Sequence, residues 1–345
     1  MRALTISAHG DLGRLEVRED LAPPEIRGAT DVRIRVSATA LNHLDLFVVA
    51  GLPGVTIVPP WVVGADACGV IDAIGRDVSG LSSGDLVVVN PGISDRTCPM
   101  CLAGEHSLCI KYKLLGEHLS GTTAEFIVVP AANVRSIPAD TDVTSAAAFP
   151  LATLTAWRML RTRAQLRPGE RVLIWGIGGG VALAALQVAK QIGAEVWVAS
   201  RDASKLERAR KLGADHALNS GTDDIPAAIR AATAKAGVDV VVDNVGQATW
   251  TRSLQCLGKR GRLVTCGATS GPLVETDVRR LFWNQWSILG STMGNDADFE
   301  AVVGELRAGR LLPPVDSVWP IEQGRAAFER LASGRQFGKV VITIR

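Results

Sequence analysis

The sequence carries no excess of either charge: 37 Lys and Arg face 35 Asp and Glu, a formal net charge of +2 over 345 residues. So even a balance gives no electrostatic reason for nucleic acid or an anionic membrane surface to be a partner. No apolar run approaches the roughly 18 residues that a membrane span needs. The opening stretch, MRALTISAHGDLGRLEV, lacks the apolar core of about 7–15 residues found in a secretory signal. A cytoplasmic location is therefore expected. Internal repeats, low-complexity tracts and disordered linkers are also missing. What is present is an ordinary globular composition, 47% hydrophobic and 21% charged, on a chain long enough for about two domains.

Cysteine is sparse, six in all, and unevenly spread. Cys68, Cys256 and Cys266 stand among apolar residues and read as buried core thiols. Cys98, Cys101 and Cys109 crowd together in DRTCPMCLAGEHSLC. A structural disulfide there is disfavoured by a reducing cytosol. A redox C-x-x-C lies between a strand and a helix, whereas CPMC sits in a loop-like context. A metal site with one cysteine missing is the third reading.

Up to about residue 135, short β-type runs such as DVRIRVSATA, ACGVIDAIG, GDLVVVN and AEFIVV alternate with Gly and Pro, as in a mostly antiparallel β-domain. From about residue 142 the pattern becomes helix and strand in turn. TSAAAFPLATLTAWRMLRTRA reads as one helix. ERVLIWG, EVWVAS, DVVVDNVG and GRLVTCG read as strands, with GVALAALQVAKQIG and ASKLERARKLG as intervening helices. Such alternation predicts a parallel sheet covered on both faces. FGKVVITIR closes the chain as a strand.

The turn WGIGGGVALAA follows a strand and opens a helix, the setting of a dinucleotide fingerprint. The strict G-x-G-x-x-G fails, but Gly176, Gly179 and Ala182 keep the spacing and the small residues that let backbone and pyrophosphate approach. At the end of the next strand, where an acid usually holds the ribose 2′-hydroxyl, stand Ser200 and Arg201, with Lys205 beyond. A hydroxyl and two cations accept a 2′-phosphate that an acid would repel. NADP(H) is the coenzyme expected.

With ALNHLDLFVVAG, GADACGVIDAIG, CLAGEHSLC, GIGGGVALAALQVAKQIGA, VDVVVDNVG, GRLVTCGATSG and ILGSTMG in family order, the chain resembles the medium-chain dehydrogenase/reductase family. Within it, the resemblance is to the quinone-oxidoreductase-like, zinc-binding alcohol dehydrogenase branch. It implies an α/β fold: a GroES-like β-domain from residues 1–151 and 292–345, and a Rossmann domain, a doubly wound parallel sheet, from residues 152–291. Carried over by position, Thr155 would lie beside the nicotinamide. Gly176, Gly179, Gly180 and Val181 would cradle the pyrophosphate, and Ser200, Arg201 and Lys205 the adenosine ribose. Asn244 and Val245 would border the adenosine. Cys266, Gly267, Ala268, Leu289 and Ser291 would serve the nicotinamide amide.

The same resemblance places a structural-zinc lobe at Asp95, Cys98, Cys101 and Cys109, with Asp95 in the position of the first cysteine. A carboxylate can complete a tetrahedral zinc. His106 as fourth ligand, or an empty lobe, are the alternatives. The family's catalytic zinc would need ligands where this chain has Asn42, Ala65 and Leu151, and none of these suits zinc. A rescue set from His43, Asp45, Asp66 and Cys68 is conceivable, but the catalytic metal is expected to be gone. Asn42 would then orient substrate or nicotinamide, and His43 would supply a proton or sit satisfied in a turn. Asp45 is a further catalytic candidate, though it and Asp66 also read as structural.

The activity implied is NADPH-dependent reduction of a quinone or α,β-unsaturated carbonyl. Its rivals are an alcohol or aldehyde dehydrogenase with a rebuilt zinc site and a non-catalytic, crystallin-like NADPH binder. Phe47, Trp61 and Trp283 suggest an apolar pocket for a small-molecule substrate. LFWNQWSILGS, with Trp283 and Trp286 before the last Rossmann strand, implies a homodimer or higher homo-oligomer paired through the sheet edge.

Overall fold

The computed structural model describes residues 1–344 and divides into two compact units: Met1–Leu154 with the segment from Gly294 onward, and Thr155–Met293. The first is built on a seven-stranded sheet whose spine is β1 (Asp31–Ala40). Val32, Ile34, Val36 and Ala38 alternate inward, each no more than 1% exposed, so the period of two in DVRIRVSA sets the buried face. β1 pairs antiparallel with β2 (Cys68–Ile74) along one edge. Along the other it pairs with Phe126–Pro130 through its first half and with the C-terminal strand Lys339–Thr343 through Ala38–Ala40. The tail thus completes the sheet begun at Asp31. Helix α1 (His43–Ala50) follows β1 directly.

The expected single helix from residue 144 to 164 is three pieces: Val143–Ala147, Pro150–Trp157 and a π-helical turn, Arg158–Arg163. Pro150 causes the first break, because its ring and missing N–H end a helix at the residue before it.

The second unit holds a six-stranded, all-parallel sheet. In chain order its strands are β3 (Arg171–Trp175), β4 (Glu195–Ser200), β5 (His216–Asn219), β6 (Val238–Val242), β7 (Leu257–Thr265) and β8 (Ser287–Gly290). In space they lie in the order β5, β4, β3, β6, β7, β8. The chain therefore winds one way from β3 to β5 and the other way from β6 to β8. This is the doubly wound Rossmann topology, whose ligand site lies at the carboxyl ends of the strands where the direction reverses. Val172, Leu173, Ile174, Val240, Val241 and Val242 are wholly buried, as strands covered on both faces must be.

Candidate functional site

β3 ends in the glycine turn. Gly176 has φ +69° and Gly178 φ +119°, conformations open to glycine at little cost. A Cβ on Gly178 would lie 2.8 Å from Lys205 Cδ, so the lysine stem lies directly over the turn. A Cβ on Gly176 would sit 3.5 Å from Val245 Cγ2 and 3.8 Å from Asn244 Oδ1. Asn244 Oδ1 is buried and accepts no hydrogen bond, a vacancy that a coenzyme donor would fill. Helix α2 (Gly180–Ile192) starts at Gly179 with no side-chain cap and no acid in its first turn. Its free N–H groups and dipole suit a pyrophosphate. Ala182, wholly buried, lets α2 pack against the sheet. Residues and geometry fit a dinucleotide.

At the end of β4, Ser200 Oγ accepts from Asp202 N at 3.2 Å. Asp202 is the nearest acid, but it caps α3 (Ala203–Lys211), accepting from Ser204 N and Lys205 N. The Ser204 hydroxyl, 2.7 Å away, and these backbone N–H groups hold its carboxyl below the usual range. Arg201 is exposed and flanks Gly221. Beyond β7, Thr265 Oγ1 donates to Gly267 O, and Ser291 N donates to Thr265 O at 2.9 Å. Leu289 pairs with Val264. Ala268 lies against Gly246, beside Asn244 and Val245. Ser291 Oγ is, like Asn244 Oδ1, a buried polar atom without a partner. Burial pushes the Cys266 thiol up to about 12, so it offers backbone, not thiolate. Thr155 Oγ1 donates to Met293 Sδ at 3.7 Å.

In the first unit, two of the three positions that the resemblance assigns to a catalytic metal, Asn42 and Leu151, bond to one carboxylate. Asp66, wholly buried, accepts from Leu151 N at 2.7 Å on Oδ1. Its Oδ2 accepts from Asn42 Nδ2 and from Lys339 Nζ, both at 2.9 Å. Lys339 Nζ also donates to Asn42 Oδ1. Ala65, wholly buried, is the third position. Asn42 is thus not a free donor to substrate: Nδ2 spends its second hydrogen on Ala40 O at 3.3 Å, leaving Asn42 a bracket between Lys339 and Asp66. Asp45 turns its carboxylate to the backbone N–H groups of Asn42, at 2.6 Å, and Gly64. Burial nevertheless lifts its pKa to about 7. His43, half-buried, has its pKa lowered by burial and by Lys339, so its imidazole is neutral at pH 7 and is not a ready proton donor.

These residues do not fit a catalytic zinc. Among the described residues, one group brings three or more His, Cys, Asp or Glu ligand atoms together, and it is the lobe Asp95, Cys98, Cys101 and Cys109. The rescue set of His43, Asp45, Asp66 and Cys68 is not assembled. Nor do the aromatic candidates line up as expected. Trp61 is core, its Nε1 donating to Gly116 O, while Trp283 is 76% exposed on α4 (Val278–Asn284).

In the lobe the four ligand atoms lie within 4.8 Å of one another. Four ligands about 2.3 Å from a tetrahedral zinc would be separated by about 3.7 Å, so the donor set fits. The thiols are free, with Cys98 and Cys101 sulfurs 3.6 Å apart. Asp95 Oδ1 accepts from Thr97 N and Cys98 N, both at 3.0 Å. These bonds hold its carboxyl well below the usual range and ionised. His106 is turned away: its Nδ1 accepts from Asp296 N, and its Nε2 lies 3.6 Å from Asp296 Oδ2. Arg96 pairs with the same Asp296 at 2.7 Å, docking the lobe on the start of α5 (Asp296–Arg307). Lys339 was invisible to sequence reasoning. The nearest signal was the reading of Asp66 as structural.

Comparison with known proteins agrees with this architecture. A family model described as alcohol dehydrogenase GroES-like domain matches residues 28–139, and one described as zinc-binding dehydrogenase matches residues 180–308. The chain is 30% identical to an NAD-dependent alcohol dehydrogenase of Sulfolobus acidocaldarius, covering 100% of both. It is 29% identical to a 2-haloacrylate reductase of a Burkholderia species, covering 91% of each. The crystal structure of an NAD-dependent alcohol dehydrogenase superposes with a TM-score of 0.96 at 41% identity over 100% of both chains. The chain therefore belongs to the medium-chain dehydrogenase/reductase family of oxidoreductases.

Proposed function

We propose that the protein is an NADP(H)-dependent reductase that delivers hydride to the conjugated double bond of a quinone or α,β-unsaturated carbonyl without a catalytic metal. The observation that carries this reading is the Asp66–Lys339–Asn42 network knitted through the family's catalytic-metal positions. A conjugated acceptor has its own electron sink and needs no Lewis acid to take hydride at carbon, unlike a simple alcohol or aldehyde couple. The relative named 2-haloacrylate reductase, whose name states reduction of an activated alkene, supports the choice.

When bound, the coenzyme supplies the hydride. The uncapped start of α2 would hold its pyrophosphate, with Lys205 above the turn. Arg201 and the Ser200 hydroxyl would receive a 2′-phosphate. Three curated relatives and one solved structure carry NAD in their names; the NADP(H) preference of this chain rests on the missing acid after β4. Asp95, Cys98, Cys101 and Cys109 would hold one structural zinc. We further propose a cytoplasmic homodimer joined through β8, an edge strand with Ser287, Ile288 and Gly290 exposed. Phe282 and Trp283, 65% and 76% exposed, lie just before it. Among the described residues, no helix is long and apolar enough to cross a membrane.

The test follows NADPH and NADH oxidation against quinones, enones and aldehydes, with and without a strong chelator. Reduction of quinones or enones that survives chelation is expected. Alcohol oxidation that depends on added zinc, with no enone or quinone turnover, would overturn the reading.

A further inference from the structure

A count of hydrogen-bonding capacity in the buried network leaves one donor over. Asp66 accepts three bonds, from Leu151 N, Asn42 Nδ2 and Lys339 Nζ. Both Asn42 amide hydrogens and its carbonyl oxygen are committed. An ammonium has three N–H donors, and Lys339 gives two, to Asn42 and Asp66. The third meets no acceptor among the described residues, on a side chain only 3% exposed.

Stability does not account for this arrangement. A buried ion pair adds little over apolar residues of the same volume, because desolvation offsets most of the attraction. A buried donor without a partner is a further cost. Asp66 holds the Lys339 side chain in place, Asn42 fixes its direction, and the neighbouring positions Ala65 and Leu151 are apolar and compete for nothing.

We propose that Lys339 is the resident cation of the reaction site, its third N–H donating to the carbonyl oxygen of the acceptor. This rests on the metal-free reduction proposed above. Hydride arriving at the β-carbon forms a C–H bond and drives the π pair through the conjugated system onto oxygen. The enolate then takes its proton at carbon from water, so Lys339 keeps its own. A preorganised donor aimed at a developing oxyanion in a dry site is the kind of group whose removal costs about 10²–10³ in rate.

The experiment uses the full-length enzyme with its coenzyme. The double variant Lys339→Met/Asp66→Asn removes both charges without leaving one unpaired. Its fold is checked by circular dichroism and by NADPH affinity, expected within twofold of wild type. The probe of the cation is 4-nitrophenolate, an oxyanion with no hydride-accepting role, titrated by its absorbance against the enzyme–NADP⁺ complex. Binding at least tenfold weaker in the double variant is expected, with kcat for any acceptor reduced about 10²–10³. In Lys339→Ala, ethylammonium should restore turnover and phenolate binding saturably, and ethanol should not. This rescue also serves if the double variant folds poorly, and a merely structural lysine would not show it.

Phenolate affinity within twofold of wild type in the double variant, or no amine rescue, overturns the assignment of Lys339 whatever substrates are found. Phenolate binding that tracks Lys339 in an enzyme reducing no quinone or enone upholds the cation and removes the proposed reaction instead.

Discussion

Replacing Asp45 by Asn should change how stability depends on pH more than it changes stability itself. Asp45 is 2% exposed at the start of α1. Burial raises its carboxyl from 3.8 to about 7, against the opposing pull of Lys339 and the Asn42 and Gly64 N–H groups and with a small push from Asp66. Below pH 3.8 the group is protonated whether the chain is folded or not, and adds nothing. Between 3.8 and about 7 the unfolded chain releases the proton while the folded one keeps it, so stability falls as pH rises. The slope approaches about 1.4 kcal/mol per pH unit, and the gap of about 3 units accumulates to about 4 kcal/mol. Above pH 7 the penalty is constant. Asparagine does not titrate. Lost or altered bonds to Asn42 N and Gly64 N would shift its whole curve without tilting it. Urea unfolding of wild type and Asp45→Asn at matched ionic strength, from pH 5 to 8, gives the difference directly. The variant should gain on wild type by about 2–3 kcal/mol over that range, and the Asp45 carboxyl ¹³C shift should titrate near pH 7. A flat difference curve, with a carboxyl shift already that of the ionised form at pH 5, would falsify the account.

Four further outcomes follow from the two units. Arg201→Ala should weaken NADPH binding roughly tenfold to a hundredfold and leave NADH unchanged; tryptophan-fluorescence titration checks this, and equal losses for both coenzymes would count against a 2′-phosphate contact. Gly178→Ala places a Cβ at φ +119° against Lys205. Both coenzymes should then bind at least tenfold more weakly, with the melting temperature lowered by the strain, and an unaltered Kd by calorimetry would show the turn to be slack. Metal analysis should find close to one zinc per chain; Asp95→Ala should lower retention roughly tenfold or more while Asp95→Cys preserves it, and two zincs per chain would overturn the assignment. Ile288→Lys on the exposed edge of β8 should convert a dimer to monomers in light scattering, and a wild type already monomeric at micromolar concentration would remove the interface.

The parallel-sheet unit was largely legible because its signals are local. A glycine turn after ERVLIW, β-branched strands buried on both faces and a helix, ASKLERARKLG, closed by Gly213 need no distant partner to be read. The lobe was legible for the same reason, since its four ligands lie within one short loop. The buried network was not. A single lysine opening KVVIT looks like any strand residue, and its partner Asp66 lies 273 positions away. That Asn42 is fully committed depends on this unseen lysine. The break at Pro150 was available in principle, but the alanine-rich flanks on either side suggested one continuous helix.

Pairing of Ala38–Ala40 with Val341–Thr343 has a consequence for biosynthesis. At roughly 5–20 residues per second, β1 leaves the ribosome some 15–60 s before the strand that covers its edge is made. The parallel-sheet unit is contiguous in sequence and free to close during that interval. The unit that precedes it must wait with an open edge, a template for mispairing with other nascent chains. Chains that stop before Lys339 would lose it and that cover together. They should therefore depend on chaperones or aggregate, and would not persist as folded but inactive enzyme.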